Sequence, residues 1–150
     1  MSPINKLTDA DIELLKKYPL LDAYQKVATR SAIYPGQGTV MGLMYCALKL
    51  NGEAGELAEH VGKAMRDDDL AVAYPDEEHY CGDLMVNLDA GELTESRKTL
   101  IVKEIGDNLW YLSALCNELG IKLSDAAVAN IEKLNDRGKR GALRGSGDER

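Results

Sequence analysis

The stretch "GEAGELAEH", Gly52–His60, and a counterpart, "KEIGDNLWYL", Lys103–Leu112, decide how this chain is read. Each carries two acids three residues apart, Glu53 with Glu56 and Glu104 with Asp107. Side chains at that spacing share one face of a helix. The surrounding residues are small or apolar, so the same helices must also contribute to a core. Bare carboxylates placed there repel one another and resist desolvation. Two remedies exist, basic partners or metal ions. Lys63, Arg66 and Lys103 lie nearby, but none stands at a spacing that repairs both pairs. If the two helices pack antiparallel, four carboxylates converge in one cleft. An all-oxygen donor set suits a hard ion, Mg²⁺ or Mn²⁺, over zinc.

Outward from these stretches the chain reads as helices. "VMGLMYCALKL", Val40–Leu50, is apolar nearly all round, which predicts a helix from Thr39 to about Arg66 buried on more than one side. Gly42, Gly55 and Gly62 leave room for close helix approach or for a ligand. A second long helix starts at a Thr94 or Ser96 cap and runs to about Leu119, ended by Gly120. "LTDADIELLKKY", capped by Thr8, and "PLLDAYQKVATRS", opened by Pro19, predict two shorter helices before the loop "IYPGQGT". Ser124 is the expected cap of a last helix, "DAAVANIEKLNDR", ended by Gly138. Residues 67–94 lose the periodicity and read as a long connecting insertion with one helical turn or short helix inside it. Residues 138–150 read as a flexible Gly- and Arg-rich tail. With no strand alternation to compete, the expectation is one all-α domain over residues 1–150, a helical bundle.

Composition narrows the function. The formal charge of −7 argues against a nucleic-acid surface and against an anionic membrane. An acidic protein can still bind a phosphate compound when divalent cations lie between the two sets of charges. Cys46, Cys81 and Cys116 show no paired ligand spacing and read as reduced thiols. With no signal region and no membrane-length apolar run, the expected location is intracellular.

Other residues qualify the picture. Tyr111 follows Asp107 by four positions and lies beside it. Asn130, Lys133 and Arg137 form one stripe on the last helix, either a solvated face or a set of donors for phosphate oxygens. His60 and His79 read as surface or locally satisfied side chains. A di-iron bundle wants Glu-x-x-His on each of two helices, and Glu104 is followed by Asp107 instead. Glu59 faces the edge of the site or pairs with Lys63.

Taken in order, "GEAGELAEH…KEIGDNLWYL…NIEKLNDR" resembles the MazG-like, all-α nucleoside triphosphate pyrophosphohydrolases, over roughly residues 22 to 150. The shared pattern is E-x-x-E followed by E-x-x-D, with Tyr111 and the Asn-x-x-Lys of Asn130 and Lys133. "ATRSAIYPGQG" and "RGALRGSGDER" look like a small branch of bacteria and their phages, which implies the cytoplasm of a bacterial cell or phage-infected host. Two features depart from the family pattern. Between Glu56 and Glu104 lie 47 residues, more than the usual linker, and Gly52 stands where many relatives have another glutamate. The resemblance implies hydrolysis of an NTP or dNTP to the monophosphate and pyrophosphate, with Mg²⁺, or Mn²⁺, held by Glu53, Glu56, Glu104 and Asp107. Glu53 or Glu56 would serve as general base, Lys133 and Arg137 would hold phosphates, Tyr111 would meet sugar and base, and Gln37 would lie on the base side. A homodimer or homotetramer is expected. An alarmone substrate such as ppGpp and a non-catalytic helical interaction module are the competing readings.

Overall fold

The computed structural model describes residues 9–10, 13, 17, 20–68, 72–73, 85–86 and 93–140. Its helices are α1 (Leu20–Ala28), α2 (Val40–Asp67), α3 (Glu95–Glu118) and α4 (Leu123–Lys139), with a 3₁₀ turn at Thr29–Ser31. Asp9, Ala10, Glu13 and Lys17 are also helical, within the segment expected to form the first helix. Thr8 and residues 141–150 of the tail lie outside the described residues. In the long insertion, Val72–Ala73 pairs antiparallel with Met85–Val86 in a two-residue ladder that no sequence signal announced. The helical turn expected there falls on residues that are not described. Among the described residues the fold is all-α apart from that ladder.

Two compact units divide the chain, residues 1–46 with 112–150 and residues 47–111, with boundaries inside α2 and α3. The first unit is organised by buried polar side chains. Gln25 of α1 donates to the Ile121 carbonyl at 3.0 Å and accepts from the Leu123 N–H at 2.8 Å. Asp22 Oδ1 accepts from the Ser124 N–H at 3.0 Å. Orphan donors at the start of α4 are thus satisfied by α1, about a hundred positions earlier in sequence. Ser124 is therefore not the cap that local sequence suggests. It sits in the first turn, and the N-cap position belongs to Lys122. At the far end of α4, Asn135 is buried and its amide donates to Asp9 at 3.1 Å.

The loop before α2 closes on Glu118 in the same unit. The Tyr34 hydroxyl donates to Glu118 Oε1, and the Gly38 N–H donates to Glu118 Oε2 at 2.7 Å. Gly38 has φ +74°, a conformation side-chain-bearing residues seldom adopt. Gly42 lies so close to the Gly36 carbonyl and to Glu118 that an added Cβ would meet them at 2.5 and 2.8 Å. Close approach is thus the use of Gly42, whereas Gly55 and Gly62 have nothing within 4 Å. Cys46 and Cys116 are buried free thiols, and burial pushes both pKa values up, away from reactivity. Cys81 is not among the described residues.

In the second unit, α2 and α3 run antiparallel. Glu53 meets Glu104 and Asp107, His60 meets Glu104, and Asp68 meets Arg97. Arg97 grips Asp68 with two hydrogen bonds, of 2.8 and 3.0 Å. Planar fork and carboxylate match bidentately, which fixes the ends of the two helices at the root of the long insertion. Thr94 caps α3, accepting the Arg97 N–H at 3.2 Å.

The first half of α2 is less buried within one chain than its composition predicts. Met41, Met44 and Leu48 are 63, 59 and 72% exposed. Gly55, Ala58, Gly62 and Met65 continue the same exposed face at seven-residue repeats.

Candidate metal centre

The second unit brings three acids together. One carboxylate oxygen each from Glu53, Glu104 and Asp107 lies within 4.8 Å of the others. Glu104 is buried and the Glu53 side chain is only 12% exposed, while Asp107 reaches solvent. Helical spacing explains the grouping on α3, where Glu104 and Asp107 share a face. The same spacing on α2 does not bring in Glu56. Residues three apart differ by about 60° around the helix axis, and Glu56 is exposed outside the trio.

The cations near the site do not neutralise it. Lys63 is held by Glu59 at 2.6 Å, and Arg66 pairs with Asp67. Lys49 approaches Glu53 at 3.4 Å, but it is 44% exposed, where an ion pair is weak. Three carboxylates crowded at this distance, one of them buried, suit a divalent cation with oxygen ligands.

His60, set aside on sequence grounds, faces the site. Its Nε2 is 3.6 Å from Glu104 Oε1, and its Nδ1 is buried without a hydrogen-bond partner among the described residues. The available signal was its offset of seven positions from Glu53, which is two helical turns and hence the same side of α2.

A cleft of about 360 Å³ is lined by Glu53, Asp107, Trp110 and Tyr111. The two aromatic rings meet edge to face, with centroids 4.9 Å apart. Trp110 was not anticipated, although it stands three positions after Asp107 and so shares its face. The cleft wall therefore combines two acids with two aromatic rings.

The remaining candidates belong to the first unit. Gln37 donates its amide to the carbonyls of Ala32 at 3.1 Å and Tyr34 at 3.2 Å, which uses its donor inside its own loop. Asn130 and Lys133 lie exposed on α4, and Arg137 is half-buried there.

Comparison with known proteins gives the family. The family model described as the MazG nucleotide pyrophosphohydrolase domain matches residues 45–141. The Gene 37 protein of Mycobacterium phage L5 is 36% identical over 133 residues, covering 87% of this chain and 98% of that protein. No solved structure matches the chain significantly. Among the described residues no helix is long and apolar enough to cross a membrane. By a match that includes both helices of the carboxylate cluster, the chain belongs to the MazG nucleotide pyrophosphohydrolase domain family.

Proposed function

We propose that the protein hydrolyses a nucleoside or deoxynucleoside triphosphate to the monophosphate and pyrophosphate, in nucleotide-pool control or house-cleaning. The carrying observation is the carboxylate trio, two of whose members, Glu53 and Asp107, line a cleft together with Trp110 and Tyr111. Glu53, Glu104 and Asp107 would hold Mg²⁺, or Mn²⁺, with Glu56 at the edge of the set. Bound there, the ion would screen the acidic site and stabilise negative charge developing on the phosphoryl oxygens. Trp110 and Tyr111 would offer faces for the base and sugar. Glu56, exposed and outside the trio, is free to orient the attacking water and accept its proton, a task also open to Glu53. Asn130, Lys133 and Arg137 enter the proposal on their chemistry alone, as donors to phosphate oxygens. Gln37 is the weakest of the proposed contacts, since its donor is engaged in the loop.

The exposed face of α2 supports a second proposal. A stripe of Met41, Met44 and Leu48, repeated at sevens through Gly55, Gly62 and Met65, is long and apolar enough to be covered by another copy of the chain. We assign it to a homodimer or homotetramer. The phage relative is consistent with action in the cytoplasm of a bacterium or infected host.

The test is a panel of nucleotides, ppGpp included, assayed for pyrophosphate release with Mg²⁺, with Mn²⁺ and with EDTA. Turnover of a triphosphate that EDTA abolishes supports the reading. Release confined to ppGpp would move the substrate to the alarmones. An inert chain whose melting temperature ignores both metal and nucleotide would mark an interaction module.

A further inference from the structure

We infer that His60 is a positioning residue for Glu104, a role that rests on the metal reading above. His60 stands on α2 two turns beyond Glu53, and its Nε2 reaches to 3.6 Å from Glu104 Oε1. Its ring is four-fifths buried, with the side chain 20% exposed. Its Nδ1 lies buried without a hydrogen-bond partner among the described residues. Leaving a buried nitrogen unpaired is unfavourable. A purely structural side chain at this position would avoid that cost by being apolar. What the imidazole gains in return is the approach of its other nitrogen to the one buried member of the trio.

The approach of 3.6 Å is longer than a hydrogen bond, so it acts through electrostatics and steric restraint. The imidazole nitrogen also lies outside the group of oxygens that converge within 4.8 Å. His60 therefore acts on the carboxylate and is not a ligand itself. Glu104 has a flexible side chain, and fixing it before an ion arrives removes an entropic cost of binding. Partners of this kind typically change metal affinity by about 10–100-fold when lost. Glu53 and Asp107 have no such restraint from His60, so the effect passes through Glu104 alone.

The test uses the full chain without nucleotide and follows Mn²⁺ binding by electron paramagnetic resonance. His60→Ala should weaken binding by about 10–100-fold. His60→Gln, which keeps a polar side chain able to reach toward Glu104, should recover most of the loss. Both replacements favour helix at least as well as histidine, and circular dichroism should show unchanged helicity. In a Glu104→Gln background, His60→Ala should have no further effect, because the carboxylate through which it acts is gone. The inference is overturned if His60→Ala binds Mn²⁺ as the native chain does. It is equally overturned if the loss persists undiminished in the Glu104→Gln background, or if spin-echo modulation shows nitrogen bonded directly to the ion. A native chain that fails to bind Mn²⁺ at all would remove the metal reading itself, which is a different result from a native chain that binds and a variant that matches it.

Discussion

Glu118 in the first unit and the trio in the second place acids in partly buried surroundings, with opposite provision. Glu118 has a donor on each oxygen, the Tyr34 hydroxyl on one and the Gly38 N–H on the other. Glu53, Glu104 and Asp107 chiefly have one another, with an exposed lysine and a histidine at the margin. A carboxylate that holds a fold together is surrounded by donors, because an unmet buried charge is costly. Carboxylates kept close without donors cost stability, and that cost makes sense when an ion supplies the missing charge. The contrast separates a structural acid from the acids proposed to bind metal by their environment.

The largest effect should come from breaking the trio. Glu53→Gln or Asp107→Asn should lower pyrophosphate release by more than ~100-fold, beyond what loss of an outer partner costs. Melting temperature without metal should hold or rise, because like-charge repulsion is relieved. A variant that loses activity through unfolding would instead place that acid in Glu118's class.

Glu118→Ala should do the reverse. Two hydrogen bonds to a charged group are lost, for about 2–3 kcal/mol. Denaturant unfolding should record this as a lower midpoint, while Mn²⁺ binding by the variant that remains folded is unaltered.

The capping contacts from α1 extend the comparison to smaller effects. Gln25→Ala removes the buried amide that serves both the Ile121 carbonyl and the Leu123 N–H, and should cost about 2 kcal/mol by the same unfolding measurement. Asp22→Ala removes one cap bond, for about 1 kcal/mol. Hydrogen bonds from Ser124, its side chain foremost, hold the Asp22 carboxyl below its ordinary value of 3.8. A group depressed in the folded state contributes stability above its unfolded pKa and loses it as pH falls through the folded one. Stability measured from pH 6 downward should therefore drop in acid, below about pH 4, and drop less steeply in Asp22→Asn.

The smallest effect belongs to Glu59. Its carboxyl is depressed chiefly by its hydrogen bond with Lys63, but it is 61% exposed. Exposed pairs contribute little, so Glu59→Gln should leave both the unfolding midpoint and turnover within error.

Much of this molecule was legible from local pattern. Thr94 and Gly120 mark the ends of α3 because capping chemistry acts within a few residues. Glu104 and Asp107 share a face because helical periodicity fixes it, and the Glu59–Lys63 pair follows from the same geometry. Those are properties of a helix, so sequence alone determines them. Three features depended on what packs against each helix. Glu56 shares the spacing of its partner yet stands outside the trio, since 60° of rotation decides which acid meets the facing helix. His60 looked idle until α3 brought Glu104 beside it. Ser124 had the chemistry of a cap, but Gln25 and Asp22 arrive from α1 and satisfy the helix start first. Sequence dictated which side chains each helix presents on a given face. Tertiary packing chose which of them meet, because a contact between helices depends on rotation and separation that no single segment encodes.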